Sequence, residues 1–227
     1  MTSDVLAQKR ILITQADEFM GPTLVSAMSA AGASVIADRL PLSDPLRVAD
    51  MIRSAGHVDV LVANLAVRAP STPAESISDD EWHDVFEALV TPLPRLVREV
   101  LPQMIQRRAG KILLIGSASP LRGMARTATY SAARGAQLAF VQAIGVEVAK
   151  HNVQVNAIAQ AFVENPTYYP PEVRDNPKFK ERLMREVPAQ RLGTPEEDAA
   201  FAVFLASDGA GFFFGQAFPF CGGWATR

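Results

Sequence analysis

The sequence predicts an α/β fold, a doubly wound parallel sheet flanked by helices. Two observations carry that prediction. The chain opens strand–helix–strand within residues 9–38, the βαβ unit from which parallel sheets are built. After it, short apolar runs keep alternating with amphipathic stretches of helical length up to the final strand. At 227 residues there is material for one sizeable domain with a substantial core. No repeat, linker or second domain interrupts the pattern.

The elements follow in order. Lys9-Arg10-Ile11-Leu12-Ile13-Thr14 reads as a buried first strand. Residues 23–31 form an amphipathic helix closed by Gly32, and Ser34-Val35-Ile36-Ala37-Asp38 is the second strand. Only nineteen residues separate Asp38 from the next strand, Val58-Asp59-Val60-Leu61-Val62-Ala63-Asn64. Ser43-Asp44-Pro45 starts a helix there, with residues 46–55 as its body. A further parallel strand beside the second needs a crossover of about a dozen residues. There is no room for one, so the usual helix after strand two is expected to be shortened or missing.

Residues 67–78 form a loop rich in proline and serine. Asp79-Asp80-Glu81-Trp82 then starts a long helix, with acids at its positive end. Thr91-Pro92-Leu93-Pro94 should kink or interrupt that helix before it ends near Arg107. Lys111-Ile112-Leu113-Leu114-Ile115 is a strand, a helix runs from Tyr130 to Ala149, and residues 152–159 form another buried strand. Two more helices, over 177–186 and from Thr194 to Ala206, precede a last strand over 215–220 and a tail from Cys221 to Arg227.

Composition narrows the function. Hydrophobic residues make up 48% and charged residues 20%, the balance of an ordinary globular protein. A net charge of −2 gives no general attraction for nucleic acid or an anionic membrane. Cys221 is the only cysteine, so no intramolecular disulfide or cysteine metal site can form. His57, His83 and His151 show no ligand spacing. The start Met1-Thr2-Ser3-Asp4 is polar and does not read as a signal peptide. No run approaches the ~18 apolar residues of a membrane span. A cytoplasmic enzyme is the expectation.

The chemistry concentrates around Ser117 and Tyr130. Ser117 ends an apolar strand, and Tyr130 lies thirteen residues on, at the start of a helix. Arg134 follows Tyr130 by four, so the two sit on one helix face. A fixed cation favours phenolate over phenol, which makes a tyrosine usable as a general base. The same residues also suit a buried tyrosine bonded to a loop serine, with Arg134 on the surface. A dinucleotide-binding chain carries a glycine-rich turn after its first strand. Here residues 15–21 hold a single glycine, Gly21, and Gln15 and Phe19 stand where small residues are expected. The Phe19 ring either fills space that phosphates need or caps the core beneath the loop. Asp38 then reads as a solvated strand end rather than a ribose ligand. The aromatic, proline-rich loop of residues 160–171 leaves the C-terminal end of a strand, where ligands bind in such sheets.

Taken together, residues 14–21, Asp59-Val60-Leu61-Val62-Ala63-Asn64, Ser117, Tyr130-x-x-x-Arg134, Asn156-Ala157-Ile158-Ala159, Arg191-x-Gly193-x-Pro195-Glu196 and Gly222-Gly223 resemble the short-chain dehydrogenase/reductase superfamily. The resemblance covers essentially the whole chain and implies a Rossmann-like fold. The departures point further. The superfamily's glycine-rich turn is broken at Gln15 and Phe19, its catalytic lysine is Arg134 here, and its Pro-Gly after the Asn156 strand is Gln160-Ala161. That pattern is similar to the halohydrin dehalogenases, cofactor-independent relatives of the reductases.

The resemblance implies that no cofactor is used and that Ser117, Tyr130 and Arg134 are catalytic. Tyr130 would take a proton from a vicinal haloalcohol, and Ser117 would hold the substrate oxygen. The alkoxide would then expel halide and close an epoxide. Small anions would open epoxides in reverse. It implies a halide site made by Gln160, Ala161, Phe162 and Val163, walled by Phe19 and Tyr169. Val67, Ser119, Pro120 and Trp224 are expected in the substrate pocket. The implied partners are haloalcohols, epoxides and small anions. The two apolar helices before and after Ser117, with the habit of that family, imply a homotetramer. Two other readings use the same fold: a reductase with an atypical cofactor loop, and a non-enzymatic binding module.

Overall fold

The computed structural model describes residues 4–226. The expectations for Met1 to Ser3 and for Arg227 lie outside the described residues. The strands are β1 (Arg10–Ile13), β2 (Ser34–Ala37), β3 (Val60–Asn64), β4 (Gly110–Ser117), β5 (Val153–Gln160) and β6 (Ala217–Phe220). They form one sheet in the order β2-β1-β3-β4-β5-β6, with every pairing parallel. The helices are α1 (Gly21–Ala30), α2 (Pro45–Ala55), α3 (Asp79–Leu89), α4 (Pro92–Arg107), α5 (Ser119–Arg122), α6 (Ala128–Val148), α7 (Pro171–Arg174), α8 (Pro177–Glu186) and α9 (Pro195–Ala206).

Because side chains alternate along a strand, each face of the sheet builds its own core. On one face Ile11, Ile13, Val60, Val62, Leu113, Ile115 and Ile158 pack against α1 and α9. On the other, Leu12, Leu61, Ile112, Leu114, Val155 and Ala157 meet α3, α4 and α6. Such burial on both sides explains why β3 and β4 read as near-continuous apolar runs, and β5 is buried at every position although it carries Gln154, Asn156 and Gln160.

Local chemistry sets the helix limits. Thr194 and Glu197 close a capping box at the start of α9. Ser78 and Asp44 cap α3 and α2 through their side chains. The prolines at 92 and 94 break the expected long helix into α3 and α4, with Pro92 at the first position of α4, where its missing N–H costs nothing. Late in α6, an added Cβ at Gly145 would lie 2.4 Å from Gly215 Cα, so glycine there lets the helix approach the strand that leads into β6.

Between β2 and β3 the chain makes α2 and no strand, so β2 is an edge. What is lacking is the helix–strand pair that would extend the sheet past β2. The helix that remains is the one expected over 46–55. Asp38 differs from its reading as a solvated strand end: its side chain is 11% exposed and pairs with Arg47 of α2. Among the described residues no helix is long and apolar enough to cross a membrane.

Candidate active site

Ser117 is the last residue of β4 and lies in register with Gln160, the last residue of β5. Both strands therefore end at one rim, and the loops leaving them enclose a cavity of about 250 Å³. That is below the ~300–1,000 Å³ of typical small-molecule pockets. Its lining includes Ser117, Ser119, Tyr130, Phe19, Tyr168 and Arg182. Gln160, Ala161, Phe162, Val163 and Tyr169 complete the wall that leaves β5.

Tyr130 lies in the first turn of α6, and Arg134 one turn later on the same face. Arg134 is fully buried. Its Nε donates to the Tyr130 hydroxyl at 3.0 Å, and its Nη2 donates to the Tyr168 hydroxyl at 3.0 Å. Nη1 donates to Gln137 Oε1 at 3.0 Å and to the Ile115 carbonyl at 3.3 Å. Gln137 in turn donates to the Leu89 carbonyl. The guanidinium fork is thus held on three sides. Burial alone would disfavour its charge, but the tyrosine oxygens outweigh it and hold its pKa above the ordinary value.

The Tyr130 hydroxyl donates to that of Tyr168 at 3.2 Å. Burial raises the Tyr168 pKa, against the pull of Arg134. Tyr169 is pushed up to about 12, also by burial, with the Phe162 N–H opposing. Ser117 Oγ accepts from the Ser119 N–H at 3.1 Å, which leaves its own proton to donate. Ser119 Oγ is buried with no partner among the described residues. Below the site, Glu81 of α3 accepts from Thr129 Oγ1 at 2.6 Å and Thr72 Oγ1 at 2.5 Å, which braces the start of α6.

Two residues that line the cavity hold positive φ without being glycine, Phe19 at 52° and Phe162 at 56°, as does Gln15 at 46° in the loop after β1. That is an uncommon and strained conformation for such side chains. Asn64 Nδ2 pins the first loop by donating to the carbonyls of Gln15 and Glu18, both at 3.0 Å. Phe19 is 4% exposed, and its ring stands edge-on to Tyr168 with centroids 5.3 Å apart.

This loop does not fit a dinucleotide. A pyrophosphate needs free N–H groups at the start of the first helix and room beside them. The Gly21 N–H donates to the Glu18 carbonyl at 2.8 Å. Pro22 has no N–H, and the Phe19–Tyr168 pair fills the approach. Among the described residues no cluster of His, Cys, Asp or Glu could hold a metal ion.

Of the residues singled out from the sequence, Val67, Pro120 and Trp224 lie off the cavity. Val67 packs into the core. Pro120, in the first turn of the short α5, sits against Gly135 of α6. Trp224 is 4% exposed, edge-on to Phe162 at 5.8 Å and capped by Arg122, and it lines an adjoining cavity that shares Ala69, Met124, Thr127 and Arg182 with this one. Tyr168 is the residue that sequence reasoning missed. Asn165 could have pointed to it, because its Oδ1 accepts the Tyr168 N–H at 2.8 Å, an Asx turn that fixes where the chain goes next.

Comparison with known proteins agrees with this fold. The family model for Enoyl-(Acyl carrier protein) reductase matches residues 43–225. The chain belongs to the short-chain dehydrogenase/reductase superfamily. A 3-oxoacyl-[acyl-carrier-protein] reductase of Vibrio harveyi is 34% identical over 168 residues, covering 74% of this chain and 67% of that one. A solved structure described as a dehalogenation enzyme is 33% identical with a TM-score of 0.92, covering 97% of this chain and 100% of its own. The halohydrin dehalogenase HheC, bound to ethyl (2S)-oxiran-2-ylacetate, is 28% identical with a TM-score of 0.88, covering 96% and 98%. Superfamily reductases and dehalogenases are therefore similar to this chain at comparable identity, and the site must separate them.

Proposed function

We propose that this protein is a halohydrin dehalogenase, converting vicinal haloalcohols to epoxides and halide without a cofactor, and opening epoxides with small anions in reverse. The observation that supports the reading is the Phe19–Tyr168 contact, which helps wall a small cavity lined by Ser117 and Tyr130, with Arg134 behind Tyr130. Ser117 donates to the substrate oxygen, with the Ser119 hydroxyl close by. Tyr130, as a phenolate stabilised by the Arg134 Nε–H, takes the hydroxyl proton and becomes neutral as the negative charge passes to the substrate oxygen. The alkoxide attacks the neighbouring carbon in line as the carbon–halogen bond breaks. The products are an epoxide, a halide ion and one proton.

The halide is assigned to the wall formed by Gln160, Ala161, Phe162 and Val163, with Phe19 and Tyr169 beside it. The Ala161 N–H is already bonded to the Phe220 carbonyl at 3.0 Å. Phe162, at positive φ, has the conformation in which successive N–H groups turn toward one side as an anion nest. A cytoplasmic tetramer of paired dimers is part of the same proposal.

The test is chloride release from 1,3-dichloro-2-propanol by purified protein with no added cofactor. Chloride and acid appearing together, and lost in Tyr130→Phe, support the reading. The reductase relatives favour the rival. Absence of chloride with NADPH-dependent reduction of a 3-oxoacyl thioester would establish that rival instead.

A further inference from the structure

Behind the cavity lies a carboxyl that this chemistry does not use. Asp198, in the first turns of α9, is fully buried against the sheet. Neither of its oxygens receives a hydrogen bond of normal geometry among the described residues. Its polar neighbour is Gln160, which ends β5 and lines the cavity. The Gln160 Nε2 is likewise buried and unpartnered. Two facing groups, each with hydrogen-bonding capacity to spare, are an unusual thing to bury together.

Among the described residues no cation pairs with this carboxyl; in the turn after α9, Asp208 is exposed and pairs with Lys9. On α9, Glu196 and Glu197 are exposed, and Glu197 is held by Arg191. Helix α1, packed against α9, carries no charged residue. In the loop after β1, Glu18 is exposed and Asp17 pairs with Arg39. Beyond β5, Glu164 pairs with Arg174. On β4, Lys111 sits at the far end of the strand, where it reaches the Ala210 carbonyl. A lone buried carboxylate is costly, so the group tends to keep its proton. Burial pushes its pKa up to about 7, with the Gln160 amide pulling the other way. Both protonation states are therefore accessible near neutrality.

We propose that Asp198 and Gln160 form an acid–amide pair through which binding of a small anion in the cavity is coupled to uptake of a proton. As a carboxylate, Asp198 places negative charge behind the anion and draws the Gln160 N–H groups toward itself. As a neutral acid it does neither. Asp198 is thus a positioning residue that acts through Gln160 and sets how tightly an anion is held. Halide release would return the proton. The inference rests on the anion reading of this cavity.

The test is bromide titration calorimetry on wild type and Asp198→Asn at about pH 6 and about pH 8.5, in buffers of different ionisation enthalpy. Wild type should take up close to one proton per bromide at the higher pH. Its affinity should fall toward tenfold per pH unit above about 7. Asp198→Asn should bind with no proton uptake and no such slope. Equal uptake and slope in both proteins would overturn the role of Asp198 and leave the anion pocket standing. Bromide silent in both at every pH would overturn the anion pocket, and this inference with it. Infrared spectra of wild type need no variant. A carboxylic-acid carbonyl band that weakens on raising the pH and returns with bromide supports the coupling, and a band indifferent to bromide contradicts it.

Discussion

The hydroxyls of Tyr130 and Tyr168 lie 3.2 Å apart, and one guanidinium, Arg134, donates to both. Tyr168 therefore shares the environment of the proposed base, and removing its oxygen changes that environment without touching Ser117. Tyr168→Phe leaves Nη2 of a buried arginine one acceptor short, which costs about 1–3 kcal/mol. Chloride release should slow by about tenfold, with a displaced pH–rate profile. An unchanged profile would show that Tyr168 is only packing.

Tyr130→Phe keeps the ring and removes the hydroxyl. Turnover should fall by about 10³, within the usual 10²–10⁴ contribution of a general base. Far-ultraviolet circular dichroism should stay close to wild type, while urea unfolding should show a loss of about the same 1–3 kcal/mol as in Tyr168→Phe, because Arg134 Nε loses its acceptor.

Arg134→Ala would strand Gln137 and two tyrosines in the interior. The expected loss is about 3–5 kcal/mol of stability, read from urea unfolding. Arg134→Lys restores a cation but not a planar fork able to reach Tyr130, Tyr168, Gln137 and the Ile115 carbonyl together. It should fold better than the alanine variant and still lose most activity.

Phe19→Gly and Phe19→Ala separate packing from strain. Both remove the ring that meets Tyr168, so halide inhibition should weaken in each. At φ 52° glycine is relaxed and alanine is not. The glycine variant should therefore be the more stable of the two in thermal melts, against the usual order for residues of ordinary conformation. Equal halide inhibition in wild type and both variants would remove Phe19 from the anion site.

The Arg191–Glu197 pair supplies a pH dependence of known sign. Hydrogen bonds from Arg191 and from the Thr194 N–H hold Glu197 down to about 2. A carboxylate whose folded pKa is depressed adds stability above its unfolded pKa. That contribution fades as pH falls from about 4.5 toward 2. Glu197→Gln should flatten this part of the acid limb. Because the pair is exposed, high salt should flatten it too.

Much of this architecture was legible because it rests on short-range rules. Apolar runs placed the strands, and prolines and caps placed the ends of α2, α4 and α9. The four-residue spacing of Tyr130 and Arg134 put both on one face of α6. Arg134, however, could equally have been a surface residue, since only the packing of Gln137 and Tyr168 around it decides otherwise. In the loop after β5, neither period applies. Which of the adjacent Tyr168 and Tyr169 turns toward Arg134 depends on the Asx turn at Asn165 and on the left-handed Phe162. The place of Trp224 was not legible for a similar reason, because the path of the tail is set by Arg122 and Phe162, far away in sequence; it lines an adjoining cavity with Met124 and Arg182. Asp198 looked like one more acid in the first turn of a helix, and only the fold turns it inward beneath Gln160.

Every partner of Arg134 among the described residues is formally neutral: two phenols, an amide and a carbonyl. The molecule carries a net charge of −2, yet it keeps this positive charge buried behind Tyr130 and Tyr168, which line the cavity. At an effective dielectric of about 20, that charge favours an anion 4 Å away by about 4 kcal/mol before desolvation is counted. On that side the cavity wall thus has a polarity opposite to that of the whole protein. Under the proposed reading it is this charge that favours an anion, or a group with a proton to give up, in the cavity.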